Sequence, residues 1–373
     1  MRSVVYVSGT RADFGLMQRT LHAIADHPAL SLSIIATGMH FSTAHGETIR
    51  EIEAAGLPIL ARVPVTLTPE TGATMARAIG AMVSGFTDAL EAARPDILLL
   101  LGDRGEMLAG AIAASHLSIP VAHVHGGERS GTIDEPVRHA ISKLSHLHFT
   151  ATEASKQRLV RMGEDEAHIF VTGAPGLDGL SDVARPDRAT IMTGHGLDPA
   201  HPFALLMFHP VLHTAGSAAG ETETLIAALK AAGTATLALL PNADAGSAAV
   251  RAALLAAEDG NFRVVAHLPR DNFVAAMAAA DVMVGNSSAG IIEAASFGTP
   301  VVNIGSRQRL RERNANVIDI EAPGLAATLP EILDRGRFSP SNIYGDGRTA
   351  DRIVRLLAET SIDDDLLMKI NGY

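Results

Sequence analysis

Short apolar runs alternate with helix-length segments almost from end to end of this chain, and that alternation leaves few folds open. In the first half, Val4 to Val7, Ser31 to Thr37, Asp96 to Leu101, Pro120 to His125 and His148 to Ala151 read as strands. In the second half, Phe203 to Phe208, Thr236 to Leu240, Phe262 to His267, Val282 to Val284 and Pro300 to Ile304 do the same. Helices are expected at Leu16 to Asp26, Thr43 to Ala55, Thr71 to Ala92, up to Ser145 from near Asp134, Thr222 to Ala232, Gly246 to Ala257, Asn272 to Ala280 and Arg348 to Glu359. Asp96 to Leu101 is nearly all apolar, as a strand buried on both faces of a parallel sheet must be. The pattern predicts an α/β chain with doubly wound, Rossmann-like sheets. A chain of 373 residues exceeds one usual core, so two such domains are expected, facing across a cleft. The loop-rich stretch 176–202 is expected to link a first domain, 1–175, to a second, 203–345, with 346–373 forming a helix and tail that packs back on the first.

A formal charge of -11 speaks against a nucleic-acid groove or an anionic membrane surface and leaves room for a small local basic pocket. The chain has no cysteine, which removes disulfides, zinc-thiolate sites and iron-sulfur clusters and fits a cytoplasmic enzyme. No signal peptide and no apolar run of spanning length is visible.

Candidate chemistry collects where strands run into helices. Val282-Met283-Val284-Gly285-Asn286-Ser287-Ser288-Ala289 is a strand, a small-residue turn and a helix start. Its unpaired N–H groups, with the Ser287 and Ser288 hydroxyls, suit a phosphate, and Glu293 lies one helical turn on, within reach of a ribose. The first strand runs into Gly9-Thr10-Arg11, which makes Arg11 a phosphate clamp or an ordinary surface arginine. Neither GxGxxG nor GxxxxGK[ST] occurs, so no dinucleotide cofactor is expected. Asp103, Glu128 and Asp134 all fall at or above the carboxyl edge of the first sheet, where clustered carboxylates supply a general acid and a general base. Asp103 reads equally well as a helix cap. His123 and His125 share a strand face as a chelating pair would, but no third ligand follows at a recognisable spacing and HExxH is absent, so no metal ligands are assigned.

Taken together, Gly9-Thr10-Arg11-Ala12-Asp13-Phe14-Gly15, Thr37-Gly38-Met39-His40, Gly102-Asp103-Arg104, His123-Val124-His125-Gly126-Gly127-Glu128, Asp134-Glu135 with Arg138-His139, Phe208-His209-Pro210, Asn242 to Ser247 and Gly285 to Ala294 resemble the hydrolysing UDP-N-acetylglucosamine 2-epimerases. The resemblance runs in order from about residue 4 to residue 320. It implies a GT-B fold, UDP held mainly by the second domain, and an elimination in which UDP leaves as the C2 proton is removed. Water then adds to the 2-acetamidoglucal, and a free sugar of inverted C2 configuration results. The implied substrate is UDP-N-acetylglucosamine or a UDP-2,4-diacetamido-2,4,6-trideoxyglucose, on the way to sialic or legionaminic acids, with no cofactor and a homodimeric enzyme. By the same resemblance Asp103 and Glu128 transfer protons at C2, and Asp134 handles the leaving group or the water. Arg11, His209, Ser287 and Ser288 hold the diphosphate, Glu293 holds the ribose, and Arg138 orients Asp134 or meets the phosphate. Arg307-Gln308-Arg309-Leu310-Arg311 departs from the family's Arg-Gln-x-Gly-Arg by a leucine. A GT-B glycosyltransferase, or a nucleotide-sugar binding protein without activity, are the rival readings; the first would need an acceptor site and the second would leave C2 untouched.

Overall fold

The computed structural model describes residues 1–43 and 46–372. Seven parallel strands form the first sheet: β1 (Arg2–Ser8), β2 (Leu30–Thr37), β3 (Ile59–Val63), β4 (Ile97–Leu101), β5 (Val121–Val124), β6 (Leu147–Thr150) and β7 (Ile169–Val171), in the order β3-β2-β1-β4-β5-β6-β7. Six more form the second: β8 (Phe203–Met207), β9 (Ala235–Leu239), β10 (Phe262–Val265), β11 (Val282–Gly285), β12 (Val301–Ile304) and β13 (Val317–Ile320), in the order β10-β9-β8-β11-β12-β13, again all parallel. Both sheets are doubly wound, the GT-B architecture expected from sequence. Each reverses winding direction once, between β1 and β4 and between β8 and β11. A crevice opens at the carboxyl ends of the strands at such a reversal, so the loops after these four strands are where a ligand belongs.

Each sheet is covered on both faces. Helix Arg11–Ala25 packs Phe14, Met17, Leu21 and Ile24 on one face of the first sheet, and helix Gly72–Ala93 packs Met82, Phe86 and Leu90 on the other. The first helix starts at Arg11, not at Leu16 as its apolar period suggests. Thr10 Oγ1 accepts from Asp13 N at 3.2 Å while Asp13 Oδ2 accepts from Thr10 N at 2.6 Å, a reciprocal cap that extends the helix back to the strand end. Asp13 also receives Ser8 Oγ at 2.6 Å and Gly9 N at 3.1 Å, and burial pushes its pKa up to about 6 despite these bonds. The helix expected over Thr43 to Ala55 is Ile49–Ala54; residues 44 and 45 lie outside the described residues.

The segment read as a linker is not a free tether. Leu177, Leu180, Met192 and Leu197 are buried in the second domain's core, and a helix spans Arg188–Gly194. The chain also returns: helix Thr349–Glu359 puts Ile353, Val354 and Leu357 into the first sheet's core beside Val4, Tyr6 and Phe14. No helix among the described residues is long and apolar enough to cross a membrane.

Candidate active site

The loop after β4 carries Asp103, and that after β5 carries Glu128; Asp134 opens helix Asp134–Leu144. Arg138, one turn into that helix and 1% exposed, donates through Nη2 to Asp103 Oδ2 and through Nη1 to the Glu128 carbonyl at 3.1 Å. Sequence pairs Arg138 with Asp134 or a phosphate; the structure pairs its buried guanidinium with Asp103 instead of Asp134. Burial above all pulls its pKa down to about 9, which leaves it cationic at neutral pH. No hydrogen bond among the described residues reaches Asp103 Oδ1, and the side chain is 22% exposed.

Glu128 is 3% exposed with both carboxylate oxygens taken, Oε1 by His125 Nδ1 and Oε2 by Arg311. His125 holds its ring there from a backbone at φ 64, a conformation unfavourable for a residue with a Cβ. Burial first, then Arg311, lowers the His125 pKa to about 3, so Nδ1 donates as part of a neutral ring.

Arg311 comes from the other domain, as does Arg307, whose Nη2 stands 3.9 Å from Asp134 Oδ2. The loop after β12 thus reaches across the crevice with two guanidinium groups, and Gly131 N donates to Arg307 O at 3.1 Å to hold it there. Arg307 Nη1 and Gln308 Nε2 converge on Asn286 O, at 3.1 and 3.2 Å. Asn286 clasps the backbone of His209 in two 2.8 Å bonds, joining the turns after β8 and β11. A second cross-domain contact joins Arg104 to Asp244 at 3.5 Å. Burial alone would raise the Asp244 pKa, but Arg104 and Arg307 hold it below its ordinary value.

His209 is 7% exposed, and burial, with Arg307, takes its pKa to about 3. It is therefore neutral here and offers a hydrogen bond, with Nδ1 unpartnered among the described residues, in place of the cation a diphosphate clamp suggests.

Arg11, Ser287, Ser288 and Glu293 line one cleft of about 570 Å³ between the domains, a size suited to a nucleotide. Arg11 donates to Leu268 O across the cleft at 3.0 Å. Ser287 caps the helix Ser288–Ile292 by accepting from Ala289 N at 3.3 Å. Glu293 is 3% exposed, and its Oε2 is ion-paired with Arg270 Nη2 at 2.5 Å on the cleft wall. The predicted residues therefore fall into two groups, a cleft set and a carboxylate set, joined by Asn286 at the head of the serine turn. Sequence reasoning missed Arg104, Arg270 and Asp244, and left Arg307 and Arg311 without a role. Arg104 and Asp244 stand in the motif stretches quoted above, but nothing local to either assigns it a partner.

The sequence profile of the UDP-N-acetylglucosamine 2-epimerases matches residues 22–358. The chain belongs to the hydrolysing UDP-N-acetylglucosamine 2-epimerase family. A UDP-N,N'-diacetylbacillosamine 2-epimerase (hydrolyzing) from Legionella pneumophila is 47% identical over all of both chains. A UDP-N-acetylglucosamine 2-epimerase from Neisseria meningitidis is 34% identical over 94% of this chain and 92% of that protein. Among solved structures, a UDP-GlcNAc 2-epimerase from Neisseria meningitidis bound to UDP-GlcNAc superposes with a TM-score of 0.78, over 96% of this chain and all of the other. At 19% identity that likeness speaks for the fold of this epimerase-family enzyme.

Proposed function

We propose that this enzyme is a hydrolysing 2-epimerase that converts a UDP-2-acetamido sugar and water to UDP and the free 2-epimeric manno sugar. The observation that carries this reading is the pair Asp103 and Glu128, each locked by its own arginine, with Arg307 beside Asp134 and bonded to Asn286 at the head of the serine turn that lines a nucleotide-sized cleft. Asp103 Oδ1, free and partly exposed, takes the C2 proton. The C2–H electrons form the C1=C2 bond of a 2-acetamidoglucal as the C1–O bond breaks and UDP leaves with that electron pair. Arg11 and the serine turn stabilise the charge that develops on the departing phosphate. Water then adds at C1, with C2 protonated from the opposite face. Water bonds to C1 and gives a proton to the partly exposed Asp134. Solvent supplies the new proton to C2 on that second face, beside which His125 and Arg311 fix the Glu128 carboxylate, and the protons held by Asp103 and Asp134 return to solvent. Glu293 accepts from the ribose in the cleft.

The full-length likeness to a diacetylbacillosamine epimerase supports the 2,4-diacetamido-2,4,6-trideoxy substrate over UDP-N-acetylglucosamine, and we read the product as a precursor for legionaminic or sialic acid-type synthesis. We read the enzyme as a cytoplasmic homodimer. Proton NMR in deuterated water tests the reaction, with each UDP-sugar supplied in turn. Free UDP together with a C2-deuterated manno sugar from the diacetamido substrate is expected. Turnover without deuterium at C2, or no turnover of either sugar, overturns the reading.

A further inference from the structure

His123 is a buried histidine set among the three segments that carry Asp103, Glu128 and Asp134. It lies at 0% exposure on β5, the strand that delivers Glu128. Its Nε2 is 2.7 Å from the carbonyl of Gly102, the residue before Asp103, and its Nδ1 is 3.1 Å from Ser142 Oγ, on the helix that carries Asp134 and Arg138. The loop to Glu128 passes close by at Gly126, two residues before it. A Cβ there would stand 3.1 Å from both His123 Nδ1 and Ser142 Oγ, so the loop backbone lies directly over the histidine–serine pair.

The partners fix the protonation pattern. A carbonyl only accepts, so Nε2 carries the hydrogen and donates to Gly102, and the neutral ring turns Nδ1 to Ser142 as an acceptor. Ser142 Oγ lies between Nδ1 and the Arg138 carbonyl, 3.0 Å away, and can donate to either. Gly102 needs this clip: it sits at φ +83, and the carbonyl held by His123 sets the direction in which Asp103 leaves β4. Burial keeps the ring neutral, with a pKa of about 3.

We propose that His123 is a positioning residue for proton transfer at C2, holding the Asp103 loop, the Glu128 loop and the Asp134 helix in one register. It acts through Gly102 and Ser142. The inference rests on the epimerase reading, in which Asp103 removes the C2 proton. A base displaced by a fraction of an ångström slows C–H cleavage without weakening nucleotide binding, which occurs in a cleft that His123 does not line.

The test compares wild type, His123→Leu, His123→Gln and Ser142→Ala, with turnover expressed per UDP-binding site and with C2-deuterated substrate. In His123→Leu, kcat is expected to fall about tenfold to a hundredfold, with KM changing less than about threefold. The deuterium isotope effect on kcat is expected to rise, because C–H cleavage becomes more fully rate-limiting. Ser142→Ala should shift both in the same direction by less, and His123→Gln, which keeps a donor for Gly102, should recover part of the loss. A purely structural role lowers the number of binding sites but leaves turnover per site and the isotope effect unchanged, and that result overturns the inference. If His123→Leu does not fold, Ser142→Ala and His123→Gln decide by the same criterion. Wild-type enzyme that incorporates no deuterium at C2 overturns the epimerase reading and this inference with it; wild-type exchange with unaltered variants overturns this inference alone.

Discussion

Glu128 is a carboxylate with no idle oxygen, and the guanidinium that completes it comes from the opposite domain. Removing one partner of a buried pair leaves the other uncompensated, which costs about 3–5 kcal/mol, whereas removing both charges is close to neutral. Arg311→Met is therefore expected to destabilise the protein on that scale in urea unfolding, and Glu128→Gln with Arg311→Met to recover most of it without recovering turnover. A double variant no more stable than the single one would show that the pair is not coupled. The same comparison explains what was legible in the sequence. Asp103, Glu128 and Asp134 stand directly after apolar strands or at a helix start, so their place at the sheet edge follows from local pattern. Sequence points Arg138 at Asp134, four residues away and a helical neighbour, while Asp103 is brought to it only by the pairing of β4 with β5. Arg311, Arg104 and Arg270 gave no local signal, since their partners lie 183, 140 and 23 residues away and no periodicity relates them.

At the scale of elements, the loop after β12 meets the loop before helix Asp134–Leu144 backbone to backbone. A Cβ on Gly131 would stand 1.9 Å from the Ser306 carbonyl oxygen, and neither main chain can yield without breaking the Gly131-to-Arg307 hydrogen bond. Gly131→Ala is expected to hold the domains apart, withdrawing Arg307 and Arg311 together. It should lower kcat/KM by about tenfold or more, in line with the misplacement of a catalytic set, while each domain keeps its own core. Steady-state kinetics beside small-angle scattering would show this as a larger radius with lost activity; full activity would mean that the loops part during turnover. Strands β3, β7 and β13 escape the sequence pattern for a related reason. They are sheet edges, half buried and with few continuous apolar residues, so they lack the run that marks a central strand. Helix Gly105–His116 escapes from the other side: it is covered by neighbouring helices as well as by the sheet, and its alanine-rich surface shows little periodicity.

For the molecule as a whole, buried neutral histidines set the acid limit. Burial lowers His40 and His146 to about 4, and His123, His125 and His209 to about 3, from an ordinary 6.5. The unfolded chain therefore takes up these protons first, and stability falls as the pH drops from about 6.5 toward 4. Asp13, raised to about 6, works in the opposite sense, as do the raised carboxyls of Glu51, Glu70 and Asp178, while burial also lowers His139, His148 and His195. Tm is expected to decline steadily across that window, and His40→Gln to flatten the decline; a Tm that holds constant between pH 6.5 and 4.5 would mean that these rings are protonated in the folded protein.

The return of helix Thr349–Glu359 to the first sheet has a consequence for how the protein is made. The first domain is synthesised first but is completed last. While the ribosome builds the second sheet, the apolar surface that Ile353, Val354 and Leu357 will cover stays open to solvent. The nascent chain must pass through that interval with the second domain still to come and an unfinished first domain already out. Release of the last helix, more than the emergence of either sheet, is the event that commits the molecule to its folded form.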